Sequence, residues 1–170
     1  KIDIPLDYRF HIFARNRLTT IYEKKGVISS FNVLHLGYSP IDNLSIIVEA
    51  DFLSGNIPVP RAGLEYKKRL FNNLLLLYTT LHIAMQQDPD LASITNIAAM
   101  PEIATDLKAV ISVENITTLD FTLPHKSSTQ RLRLGLDYKG YQAGAACDLT
   151  EKGNSGELSY NCGGFVKIIK

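Results

Sequence analysis

Apolar and polar residues alternate strictly at the start of the chain: Ile2, Ile4, Leu6, Tyr8, Phe10 and Ile12 share one parity, and Asp3, Pro5, Asp7, Arg9 and His11 hold the other. A period of two sends successive side chains to opposite faces, so the segment predicts a strand with one wet face. Pro5 cannot donate to a ladder, which places this strand at an edge or delays its pairing. A helix over 7–22 is the competing reading. Asn16-Arg17 then reads as a turn, 18–23 as a β-rich segment, and Lys24-Lys25-Gly26 as a turn into a strand over 27–36. Residues 38–43 carry turn chemistry, and the β-branched run 44–52 ends at Ser54-Gly55-Asn56. The first third is expected to be an antiparallel meander.

The period changes after Pro58, Pro60 and Gly63. Leu70, Phe71, Leu74, Leu75, Leu77, Tyr78, Leu81, Ala84 and Met85 recur at helical spacing and predict one long helix. Asp88-Pro89-Asp90 ends it and offers an N-cap to a shorter helix carrying Leu91, Ile94, Ile97 and Ala98, closed by Pro101. Beyond Asp106 the period of two returns over 110–113, 116–123, 130–138, 141–149, 157–162 and 165–169. Strands, then a long helix, then strands predict an α+β fold, with antiparallel meander sheets packed on one long and one short helix. A single domain over 1–170 is expected, its β-rich parts at about 1–55 and 107–170 joined by a helical segment at about 64–100.

The cysteines add a constraint on compartment. Cys147 and Cys162 are the only two, and between them lies the turn-forming run Glu151-Lys152-Gly153-Asn154-Ser155-Gly156. A reversal there brings the thiols opposite each other on paired strands, which predicts a C-terminal disulfide hairpin. A bridge closing a loop of this length contributes on the order of 3 kcal/mol through loop-closure entropy, and it persists in an oxidising compartment. The expected location is therefore extracytoplasmic: periplasmic, cell-surface or secreted. The start at Lys1 fits a leader or anchor removed upstream.

Composition is globular, with 45% hydrophobic and 21% charged residues. Eighteen basic against seventeen acidic side chains leave a formal charge of +1, so no global field attracts nucleic acid. The uncharged stretch 70–87 invites a membrane helix, but Asn72, Asn73, Thr79, Thr80, His82, Gln86 and Gln87 interrupt it, and no span is expected within the chain.

Candidate chemistry is sparse. His11, His35, His82 and His125 stand far apart, without a metal-ligand spacing, so only convergence in space could build a metal site. Gly153-Asn154-Ser155-Gly156 fails the spacing of a nucleophile elbow, and no phosphate-binding or calcium loop occurs. No catalytic residue, metal or cofactor is assigned. Glu49, Asp51, Glu114 and Asp120 are the strand carboxylates expected to be partly buried. Arg131 and Arg133 alternate with Leu132, Leu134 and Leu136, and Lys139 extends their row into a basic stripe. With Tyr160, these three are the candidate binding residues. The expected function is a non-enzymatic extracytoplasmic module that binds a protein partner or self-assembles through sheet edges and the disulfide loop. The alternative is a carrier of a small apolar ligand in a cavity lined by Phe71, Leu74, Tyr78 and Met85. An envelope hydrolase ranks behind both.

Overall fold

The computed structural model describes residues 2–5, 9–20, 28–53, 58–121, 125–153 and 155–168. Every helix or strand among them is a β-strand: β1 (Ile2–Pro5), β2 (Phe10–Thr20), β3 (Ile28–Ile41), β4 (Leu44–Leu53), β5 (Val59–Leu70), β6 (Leu75–Ala84), β7 (Asp90–Ala99), β8 (Glu102–Ala104), β9 (Leu107–Asp120), β10 (Ser127–Tyr138), β11 (Tyr141–Lys152) and β12 (Glu157–Ile168). All belong to one antiparallel sheet whose spatial order follows the chain, with β7 beside β9 and the short β8 paired to β9 off the main path. Each long strand is thus hydrogen-bonded to its sequence neighbours, an up-and-down meander.

The connections differ between the two ends of the sheet. At one end the chain reverses through Asp42-Asn43, 71–74, Thr105-Asp106 and Lys139-Gly140. Lys139 and Gly140 both have positive φ, 52° and 87°, as a two-residue type I′ hairpin requires. At the opposite end the connections are 21–27, 54–58, 85–89, 121–126 and 153–156, longer as a group.

The α+β expectation is overturned, since no helix occurs among the described residues. Leu70 ends β5, residues 71–74 form a turn in which Phe71, Asn72 and Asn73 all have positive φ, and the leucine run continues as β6. Leu74 to Leu77 are apolar at every position, so they satisfy a helical period as readily as a period of two. The supposed second helix is β7, where Leu91 and Ile97 lie on one face and Ile94 and Ala98 on the other. The 64–100 segment is therefore sheet, and it joins the two β-rich parts into one hydrogen-bonded surface. Asn16-Arg17, expected as a turn, lies inside β2. The expected turns at Lys24-Lys25-Gly26 and Ser54-Gly55-Asn56, residues 6–8 of the opening strand, and Asn154 lie outside the described residues.

Directly paired residues in a sheet share a face, and the two faces here are inverted relative to a water-soluble protein. Leu34, Leu36, Ile46, Val48, Leu64, Leu81, Ile83, Ile97, Ile111, Val113, Leu132, Leu134 and Leu136 are exposed on one face. Among the described residues, the side chains buried on the other are mostly polar, His35, Ser45, Glu49, Glu65, Thr80, His82, Asp90, Glu114 and Gln142, beside the apolar Ile47, Ala84 and Val110. No second layer covers that face among the described residues, so its burial follows from the sheet curling on itself. Side chains accordingly meet across intervening strands. His11 of β2 comes within 3.6 Å of Glu65 of β5, and Gln142 of β11 within 3.9 Å of Met100, just beyond β7.

Candidate functional site

The concave inner face carries the chain's chemistry because charge follows parity. On β3 to β12 the charged side chains described, Lys68 and Glu151 excepted, lie on this face. Three groups of interactions result.

The first and most buried joins β2 to β6. Glu65 faces His11, with Oε1 3.6 Å from Nε2, and His35, with Oε2 3.9 Å from Nε2. The other nitrogen of His35 lies 3.9 Å from Glu49 Oε2, and Glu49 Oε1 lies 2.8 Å from His82 Nδ1. His82 Nε2 is in turn 2.7 Å from Thr80 Oγ1. Glycine makes the room: the His11 imidazole lies over Gly37, its direct partner on β3, where a Cβ would overlap the ring. Gly63 is tighter still, because a Cβ there would strike the Leu81 carbonyl. The His11, His35 and Glu65 donor atoms all lie within 4.8 Å of one another, a set able to hold a metal ion.

The second group pairs Arg61 with Asp90 at 2.7 Å, with Lys126 3.5 Å from the same carboxylate. In the third, Arg131 of β10 reaches Glu114 of β9 at 2.8 Å and Asp148 of β11 at 3.3 Å. These charges are paired across strands, as buried charges must be.

The residues proposed from sequence are distributed over the whole sheet. Arg131 and Arg133 share the inner face, but Arg131 is held by two carboxylates. Lys139 sits in the β10–β11 turn, 3.5 Å from Asp106 and 5.3 Å from the Tyr138 ring centroid. Tyr160 stands exposed on the outer face of β12, away from both arginines. Cys147 and Cys162 form a disulfide between directly paired residues of β11 and β12. Glu49 and Glu114 are buried as expected and Asp120 is half-buried, whereas the Asp51 side chain lies outside the described residues. The histidine cluster has no local signal, since its members come from separate strands.

Comparison with known proteins finds no matching family model, no matching curated protein and no matching solved structure.

Proposed function

We propose that this sheet is the membrane-spanning part of an outer-membrane-type β-barrel, with its apolar face against lipid and its polar face lining the lumen. The observation that carries the reading is the inversion itself: exposed leucine, isoleucine and valine outside, buried histidine and carboxylate with half-buried, ion-paired arginine inside. A soluble protein does not present an apolar face of this extent to water, whereas strands alternating apolar-out and polar-in are the signature of membrane barrels.

Three further features support it. The long strands run from 10 to 14 residues, enough to supply the about 9–11 residues with which a tilted strand crosses a bilayer. One end has short turns and the other longer connections, the asymmetry of the periplasmic and external ends of such barrels. Aromatic residues stand near the strand ends, Phe10, Tyr38, Tyr66, Tyr138 and Tyr141 towards the short turns and Phe52 and Phe121 towards the other end.

No helix among the described residues is long and apolar enough to cross a membrane. The sequence expectation of no span weighed a helix alone, and a strand-built crossing replaces it here. The disulfide is consistent with an oxidising compartment, and this reading narrows it to the cell envelope. The non-enzymatic binding or assembly module expected from sequence is retained, with its working surface moved to the lumen. In lipid the edges of β1 and β12 need strand partners, so assembly is part of the same reading. An apolar-ligand carrier has less support, because the inner face is polar and Phe71 and Met85 lie at opposite ends of β6.

The test is refolding into phosphatidylcholine vesicles, followed by an alkaline wash and flotation. Retention with the floated vesicles supports the reading, and a folded, detergent-free protein left in the aqueous fraction would overturn it.

A further inference from the structure

The geometry points to a divalent transition-metal site on the inner face, with His11, His35 and Glu65 as ligands to an ion of the zinc class. The inference uses the inner-face contacts alone and does not depend on whether the outer face meets lipid.

The three donors come from β2, β3 and β5, and their atoms converge without any sequence spacing that announces them. Two ligands about 2.1 Å from a tetrahedral ion stand about 3.4 Å apart. Glu65 already lies 3.6 Å from His11 Nε2 and 3.9 Å from His35 Nε2, and all three donors fit within 4.8 Å. Small rotations of the side chains therefore close the shell. His35 and Glu65 are buried, and the rings of His11 and His35 stand 5.3 Å apart, inclined by 43°, around the shared carboxylate.

A further carboxylate stands behind one of the candidate ligands. A ligating imidazole ordinarily turns its second nitrogen towards a carboxylate that fixes the ring. Glu49 Oε2 stands 3.9 Å from His35 Nδ1, so a small side-chain movement brings it into contact, and Glu49 Oε1 lies 2.8 Å from His82 Nδ1. Gly37 leaves the space that the His11 ring occupies. Two imidazoles and one carboxylate leave further coordination positions for water or a ligand, which suits zinc, cobalt or nickel better than the oxygen-only shells of calcium and magnesium.

The experiment titrates the folded full chain with Co²⁺, read by its d–d absorption, and then displaces the cobalt with Zn²⁺. The expected result is one ion per chain, with affinity reduced at least about tenfold by Glu49→Gln and further by His11→Asn and by Glu65→Gln. His125→Asn, beside Ser128 and away from the cluster, leaves affinity unchanged. Circular dichroism identifies variants that do not fold. For these the wild-type chain supplies the readout: Zn²⁺ protects His11 and His35 from diethyl pyrocarbonate while His125 reacts as before. Absence of one-to-one binding by the folded wild-type chain, unchanged affinity in folded His11→Asn and Glu65→Gln, or modification of His11 and His35 unaffected by Zn²⁺ would overturn the assignment.

Discussion

Glu49 Oε1 lies 2.8 Å from His82 Nδ1, although β5 separates the two strands that carry them. The pair is buried on the inner face, and His82 turns its other nitrogen to Thr80 Oγ1 at 2.7 Å. Glu49→Ala removes the buried carboxylate that faces both His82 and His35 and is expected to cost about 3–5 kcal/mol, whereas Glu49→Gln retains a polar group there and costs about 1–3 kcal/mol. Urea unfolding of both variants checks the order, and wild-type stability in Glu49→Ala would contradict it.

Arg131 joins three adjacent strands through Glu114 and Asp148. Arg131→Met strands two partly buried carboxylates and is expected to destabilise by about 3–5 kcal/mol. Adding Glu114→Gln removes one of the abandoned charges, so the double variant should be more stable than the two single losses sum to. A double-mutant cycle measures that coupling, and strict additivity would show that the pair contributes nothing.

Leu134 is exposed at the middle of β10 on the outer face. In lipid, Leu134→Arg is expected to cost about 2–4 kcal/mol and to lower the fraction of chain that folds into vesicles. On a face wetted by water the same change would stay within about 0.5 kcal/mol and raise solubility. Vesicle flotation of the variant distinguishes the two signs.

The Cys147–Cys162 bridge closes a loop with a sequence separation of 15. Cys147→Ala with Cys162→Ala is expected to lose about 3 kcal/mol through the greater freedom of the unfolded chain. Denaturant midpoints with and without reductant check this for the unmodified protein, and the double alanine variant should not respond to reductant.

Much of the strand pattern was legible, but not which side of it faces water. The alternation of Arg131 and Arg133 with Leu132, Leu134 and Leu136 places the two sets on opposite faces as read, yet the leucines are exposed and the arginines turned inward. Period two reports that faces differ and says nothing about the solvent each meets. The helix error at 70–85 has a related cause, because β6 carries apolar residues on both faces and no polar stripe marks the strand. The cysteine pairing was readable because a turn stands midway between the two residues. The histidine cluster was not, since register assembles it. Counting back from the Asp42-Asn43 turn pairs His35 with Ala50, but an irregularity between Tyr38 and Ile41 shifts the ladder by one and brings Glu49 opposite.

The central claim is that the outer face meets lipid, and the chain's lack of tryptophan makes a direct test clean. Val113 and Ser112 are adjacent on β9 and point to opposite faces. Single-tryptophan variants Val113→Trp and Ser112→Trp, refolded into vesicles with brominated acyl chains, report which face the lipid quenches. Strong quenching at 113 and weak quenching at 112 is the predicted result; equal quenching at both positions, or none at 113 in the folded protein, would contradict a membrane-spanning sheet.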